Sequence, residues 1–310
     1  ENPVTKCLPG AEARALLNSL APGSEFISIR VADGSFSNFT QILEARLKDG
    51  SPYKVVVRRY KVFGDYDRGE KARREFKAFE LLNQQQVPSP EALYLDETGD
   101  VLGVPGIVTR FVEGRLMLET PSDPIAWAQK LAWTLAKIHS IECGPDQQVF
   151  LLKGNAEASW FLRSDSAPPY MQEYPGGAES WHTMREFLPK LQPVPPVLLH
   201  IDYWSGNILW HQDEISAVID WEEAAYGEPA VDVAYAHMNI LLMGFPEAAE
   251  EFLQVYQSET GSPLANLAFW GLAASVRPMT DPAGWNVANP SALTAQILQK
   301  FIEDAKTRLK

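Results

Sequence analysis

Along the first hundred residues, short runs of apolar and β-branched positions alternate with polar ones. Residues 26–30, 40–47 and 53–60 are β-branched and aromatic runs, and Asp33-Gly34 and Asp49-Gly50 separate them as turn dipeptides, so they predict an antiparallel sheet. A helical period follows. Over 69–85, Ala72, Phe76, Phe79 and Leu82 recur at three- and four-residue spacing, which predicts an amphipathic helix stopped by Val87-Pro88-Ser89-Pro90. Strand-like runs at 92–95 and 106–112 follow and close on Glu113-Gly114. Beyond that glycine the grammar is helical. Asp123-Pro124 supplies an N-cap and a first-turn proline for a helix with an apolar stripe of Trp127, Leu131, Leu135 and Ile138. Further helices are predicted at 232–243, 246–258, 264–275 and 292–309. The exception is 197–221, where short strands at 197–201, 208–210 and 215–219 flank a polar loop. The expected class is α+β, with a sheet and one packed helix over 1–113 and a mainly helical part over 114–310.

Composition narrows the functional classes. Of 310 residues, 45% are hydrophobic and 22% charged, the proportions of a folded globular chain. The longest nearly uninterrupted apolar run, 240–245, is far short of the ~20 residues that span a bilayer. Residues 1–10 lack a basic stretch followed by an apolar one, so a cytoplasmic protein is expected. Cys7 and Cys143 are too few for a disulfide framework and form no CxxC. The net charge of −13 argues against nucleic acid and anionic membrane, which select basic surfaces. Residues 1–113 carry 15 basic and 16 acidic side chains, and 114–310 carry 12 and 24. That acidic excess is either ordinary solubility charge or a field that draws in a cationic small substrate. Oligomeric state is not legible in the sequence.

Chemistry concentrates in the exceptional segment. His200-Ile201-Asp202 and Asn207 sit on the polar loop between two apolar strands, and thirteen residues after Asn207 another apolar strand ends in Asp220. Phosphoryl transfer needs a carboxylate to orient and deprotonate a hydroxyl, and oxygen ligands to hold Mg²⁺ against phosphates. Asp202, Asn207 and Asp220 provide that set in a fixed order.

This HxDxxxxN spacing with a strand-terminal aspartate resembles the aminoglycoside phosphotransferase and choline-kinase-like family, small-molecule relatives of protein kinases. Gly227-Glu228-Pro229-Ala230-Val231-Asp232-Val233-Ala234 is similar to the family's GxPxxDxA segment, and Val87-Pro88-Ser89-Pro90 and Phe111-Val112-Glu113-Gly114 resemble its interlobe signposts. The resemblance spans roughly residues 25–275. It implies a bilobal kinase-like fold with a nucleotide-binding lobe over 1–113 and a catalytic and acceptor lobe over 114–310. It further implies ATP or GTP as donor, Mg²⁺, and a small hydroxyl-bearing acceptor, aminoglycoside-like or choline-like. Asp202 is then the base or hydroxyl-orienting residue, Asn207 and Asp220 are metal ligands, and His200 and Asp232 support the loop.

In the first lobe such an enzyme needs a cation on the phosphates and an acid to hold it. Strand alternation puts Val56 and Arg58 on one face and Val57 and Arg59 on the other, so one arginine can face the nucleotide; by resemblance it is Arg58. Its partner is expected to be Glu75, with Glu70 and Glu80 as alternatives. Ser35 and Ser37, in a loop without GxGxxG, are candidates for phosphate contact, and the connector with Arg110 and Val112 for the adenine. Asp220-Trp221-Glu222 stands where protein kinases carry DFG, so no activation loop is expected, and Trp204 stands where they carry a phosphate-stabilising lysine. Trp160, Phe161, Tyr170, Tyr174 and Trp181 are expected either to wall the acceptor site or to pack a loop, and Glu222, Glu223 and Glu228 either to bind ammonium groups or to be solvated. Two other classes remain: a kinase-like binding protein without catalysis, and a hydrolase using His200-x-Asp202 and His211-x-Asp213 as metal ligands.

Overall fold

The structure, a computed structural model, describes residues 7–32, 38–61, 67–118, 120–261, 263–281, 285 and 291–309. The chain divides into two compact units, Glu1–Gly114 with Ser216–Glu223, and Arg115–Ile215 with Ala224–Lys310.

The first unit contains α1 (Gly10–Leu20), β1 (Glu25–Val31), β2 (Phe39–Arg46), β3 (Pro52–Arg59), α2 (Arg68–Gln84), β4 (Ala92–Asp96) and β5 (Gly106–Arg110). Its five strands form an antiparallel sheet in the order β1-β2-β3-β5-β4. One face of β3 presents Val55 and Val57, which pack with Leu43 and Val108 against Leu16 and Leu17 of α1. Where one helix on the sheet was expected, α1 is therefore a second. Its buried stripe of Ala13, Leu16 and Leu17 is barely one turn long, too short to register as a period. The longer helix, α2, starts at Asp67, whose side chain accepts the Glu70 N–H (3.0 Å), and buries Ala72, Ala78, Phe79 and Leu82. Unusually, it also buries two charges, Arg74 and Glu75.

Residues 216–223 group with this unit, although the sequence pattern placed them with the helical part. Backbone bonding explains the difference: Val218 N–H donates to the Pro88 carbonyl (2.9 Å) and Trp221 N–H to Glu75 Oε1 (3.1 Å), with the Trp221 ring fully buried.

The second unit is mainly helical. It contains β6 (Arg115–Leu116), α3 (Pro124–His139), α4 (Pro145–Gln148), β7 (Leu152–Lys153), α5 (Gly154–Ala158), α6 (Pro169–Glu173), α7 (Gly177–Phe187), β8 (Val197–Leu199) and β9 (Ile208–His211). After β10 (Glu214–Val218), which leads into the first unit, come β11 (Ala225–Gly227), α8 (Ala230–Leu242), α9 (Pro246–Thr260), α10 (Leu267–Ala274), α11 (Val276–Thr280) and α12 (Ser291–Leu309). Asp123 caps α3 by accepting the Ile125 and Ala126 N–H groups, and Trp127, Leu131, Leu135 and Ile138 are buried as their spacing predicts. Helix α8 is buried on nearly every side, including Asp232, His237 and Asn239, and forms the centre of the core with Phe269, Trp270, Leu298 and Ile302. Among the described residues no helix is long and apolar enough to cross a membrane.

Glu228 ties this core together. Its buried carboxylate accepts Asn155 Nδ2 (2.7 Å) at one oxygen and Asn266 Nδ2 (2.7 Å) and Trp270 Nε1 (2.9 Å) at the other, so neutral donors hold it within the core. Glu228→Ala strands three donors, each costing about 1–3 kcal/mol when left unpaired. An overall loss of about 3–5 kcal/mol is expected in urea unfolding; a loss below about 1 kcal/mol would contradict this role.

Candidate active site

The loop between β8 and β9 is built around a strained residue. Ile201 has φ +72°, a conformation that costs a β-branched side chain ~1–3 kcal/mol. Asp232, in the first turn of α8 and wholly buried, holds it there: its carboxylate accepts the His200 N–H (2.6 Å) and the Ile201 N–H (2.8 Å). Asp232 is itself braced by His139 Nε2 (3.3 Å), whose Nδ1 lies 2.6 Å from the Tyr256 hydroxyl. The buried His200 ring accepts the Asp202 N–H at Nδ1 (3.2 Å), so it serves the loop and is not available as the metal ligand a hydrolase would need.

This turn presents Asp202 with its side chain 33% exposed. Asn207, five residues on, donates from Nδ2 to both the Asp202 carbonyl and Asp202 Oδ2 (2.8 Å each). Its amide nitrogen is thereby committed, and among the described residues its oxygen accepts no hydrogen bond, which leaves the atom a hard cation needs. Gly206 is required here because a Cβ would collide with the Trp204 ring. Asp202 and Asn207 are therefore adjacent in the second unit.

Arg58, Glu75 and Asp220 come together in the first unit. Arg58 extends from the face of β3 opposite the α1 core. Its Nε lies 3.2 Å from Glu75 Oε2, and its NH2 is paired with Asp220 Oδ1 and lies 3.4 Å from Glu222 Oε2. Arg59 points the other way, its guanidinium 5.0 Å from the centre of the Phe39 ring. Glu80 pairs with Lys77 (2.7 Å), and among the described residues Glu75 is the α2 acid that meets the arginine. Burial works against the charged Arg58, yet Asp220, then Glu75, Tyr60 and Glu222, push its pKa well above the ordinary value. Asp220 sits at φ +67°, a left-handed position that Asp tolerates and that turns its carboxylate off the end of the strand. Glu222 is occupied by Asn38 Nδ2 (2.5 Å), Lys71 Nζ (3.5 Å) and Arg58, and its carbonyl by Arg74 NH1 (2.8 Å), so it belongs to the charge cluster and not to a free acidic rim.

Glu75 carries a pH signature. Complete burial pushes its pKa from 4.5 to about 7; Arg58 pulls it down, but Asp220 and Glu222 add to the rise. Between those values the native protein binds more protons than the unfolded chain, so this contribution is complete below about pH 4.5 and is lost as pH rises through 7. The expected result is a melting temperature that falls from pH 5 to pH 7.5 more steeply in the parent than in Glu75→Gln. Parallel curves would contradict the assignment.

In the connector the Arg110 N–H bonds to Glu91 O (2.9 Å) and the Phe111 N–H to Lys54 O (3.1 Å). The Arg110 side chain pairs with Glu91 (3.1 Å) and stacks 4.6 Å from the Tyr53 ring centre. The half-buried Val112 has no backbone hydrogen bond among the described residues, which makes its N–H the connector group open to a ligand. Ser35 and Ser37 lie outside the described residues. The aromatic segment divides: Phe161 and Trp181 enter the core, joined by Trp181 Nε1 to Phe161 O (3.1 Å), whereas Trp160 is 43% exposed beside Tyr170, ring centres 5.9 Å apart.

A family model described as the phosphotransferase enzyme family matches residues 40–270, most of the chain and both units' sites. The chain belongs to this family. The chain is 27% identical over 251 residues to acyl-CoA dehydrogenase family member 11 of Gallus gallus, covering 76% of this chain and 30% of that protein. It is 26% identical over 299 residues to a probable acyl-CoA dehydrogenase of Arabidopsis thaliana, covering 83% of this chain and 36% of that protein. The chain thus spans about a third of the length of these curated relatives. Its fold is that of solved kinase-like phosphotransferases. A macrolide 2'-phosphotransferase of Brachybacterium faecium superposes with TM-score 0.61 at 19% identity over 91% of this chain and 97% of that one. A choline kinase of Streptococcus pneumoniae gives 0.57 at 17% identity over 94% and 97%. A spectinomycin phosphotransferase in complex with ADP and spectinomycin gives 0.60 at 15% identity over 97% and 98%.

Tyr235 and Arg277 were missed in the sequence. The Tyr235 hydroxyl donates to Asp202 Oδ1 (2.7 Å) and Arg277 NH1 to the same atom (3.1 Å). Tyr235 lies three residues after Asp232, one helical turn along α8, and that spacing was the available signal. Arg277 had none.

Proposed function

We propose that this phosphotransferase moves the γ-phosphoryl group of ATP or GTP to a hydroxyl of a small molecule. The observation that carries the reading is the catalytic loop: a buried, strained turn presents a partly exposed Asp202 beside an asparagine whose amide oxygen is left for a cation. Arg58, held by Glu75, would bind the nucleotide phosphates, and the Val112 N–H the base. Asp220 in the first unit and Asn207 in the second each offer an oxygen of the hard kind that Mg²⁺ takes, and these residues would hold the ion. When bound, the ion would neutralise charge on the phosphate oxygens. Asp202 accepts a hydrogen bond from the acceptor hydroxyl and takes its proton as the oxygen bonds to the γ-phosphorus. The bond from that phosphorus to the bridging oxygen breaks, and its electron pair leaves with the nucleoside diphosphate.

The solved phosphotransferases of this fold are named for a macrolide, spectinomycin and choline, so the acceptors to test span macrolides, sugars and amines. Glu222 is paired with Arg58 and Lys71, and Glu228 is buried on three neutral donors, so neither stands as an exposed acid for a cationic acceptor. No dehydrogenase chemistry is carried over from the longer relatives, because the matched region is accounted for by the phosphotransferase model. The test is nucleoside diphosphate release from Mg²⁺ with ATP or GTP across a panel of aminoglycosides, macrolides, choline-like amines, sugars and hydroxylated amino acids, with the phosphate ester identified by ³¹P NMR. Ester formation by the parent and not by Asp202→Ala supports the reading. Tight nucleotide binding without ester from any acceptor would favour a kinase-like binding protein.

A further inference from the structure

We propose that Tyr235 and Arg277 are positioning residues that hold Asp202 by Oδ1 and leave Oδ2 as the atom that receives the acceptor hydroxyl. The inference rests on the phosphotransferase reading and adds to it two residues outside the HxDxxxxN loop.

A carboxylate oxygen offers about two acceptor positions. Oδ1 of Asp202 uses both, on the Tyr235 hydroxyl (2.7 Å) and on Arg277 NH1 (3.1 Å). Among the described residues Oδ2 uses one, on Asn207 Nδ2 (2.8 Å), and keeps the other. The donors come from α8, from α11 and from the loop itself, so rotation of the carboxylate would break bonds to three separately anchored groups. The first two also support each other, since the Arg277 guanidinium lies 4.6 Å from the centre of the Tyr235 ring. Tyr235 stays a donor throughout the working range: burial, and then the charge of Asp202, drive its pKa far up. The side chains of Asp202 and Arg277 are 33% and 29% exposed, so this arrangement stands at a surface a substrate can reach. Arg277 also brings to the loop the positive charge absent at Trp204. Rigid placement matters because a misplacement of about 1 Å at a reacting group can cost ~10²-fold in rate.

The test compares Tyr235→Phe, Arg277→Gln and Arg277→Lys with the parent, using the acceptor that the parent turns over. Tyr235→Phe removes one donor and keeps the ring beneath the guanidinium; kcat is expected to fall ~10-fold. Arg277→Gln should lower kcat ~10²-fold, Arg277→Lys should recover most of that loss, and the double variant should be little worse than Arg277→Gln because both act on one oxygen. KM for the nucleotide and the thermal shift with Mg²⁺-ATP should stay at parental values. Unchanged kcat per folded molecule with a lowered melting temperature would show a merely structural role and overturn the inference alone. Absence of turnover in the parent would overturn the phosphotransferase reading and this inference with it.

Discussion

Asp202→Ala is expected to lower kcat by at least ~10²-fold, the low end for a residue that orients and deprotonates, while Mg²⁺-dependent nucleotide binding is retained. The separation follows from where the residues lie. The side chains proposed to hold the nucleotide phosphates, Arg58 and Glu75, belong to the first unit, and Asp202 makes its contacts with Asn207, Tyr235 and Arg277 in the second. Removing the carboxylate leaves the strained Ile201 turn intact, because Asp232 and not Asp202 accepts its N–H groups. The backbone bonds of the turn should therefore be kept while three side-chain donors lose their acceptor, and single-turnover transfer measured beside nucleotide titration and a melting curve distinguishes a lost reactive group from a lost fold. Parental kcat would remove Asp202 from the mechanism.

Asp220→Asn has the other large expected effect: Mg²⁺-dependent affinity for ATP or GTP should fall at least ~10²-fold, with little change in melting temperature without ligand. Asparagine suits the test because it tolerates the left-handed backbone at φ +67° better than most residues and keeps the side chain's shape, so the variant removes charge without forcing the turn. Arg58 keeps Glu75 and Glu222 as partners, which guards the cluster against collapse. Titration of nucleotide at fixed Mg²⁺ checks it. Unchanged affinity would take Asp220 out of the metal site.

Much of this molecule can be read in its sequence for a physical reason. Strand β3 and helices α2 and α3 announce themselves because each buries mainly one face, so burial imprints a period of two or of about 3.6. The alternation along β3 also separates Arg58 from Arg59, and the structure puts them on opposite faces of the sheet. Helix α1 escaped because a stripe of three residues is too short to set a period. Grouping of 216–223 with the first unit escaped because it depends on backbone bonds to Pro88 and Glu75, and backbone donors leave no mark in residue identity. Arg277 escaped for a similar reason: it meets Asp202 across 75 residues of chain, and a lone arginine near a helix end is usually a surface charge. Glu222 and Glu228 looked like free acids, and only the folded chain reveals the amides, indole and cations that occupy them.

The most direct measurement is the thermal shift of the purified protein with ATP or GTP, each with and without Mg²⁺, since a ligand that binds only the native state raises its stability in proportion to RT ln(1 + [L]/Kd). It requires no knowledge of the acceptor. A rise of several degrees is expected that needs nucleotide and Mg²⁺ together and is lost in Asp220→Asn. No shift at millimolar nucleotide with Mg²⁺ would contradict it.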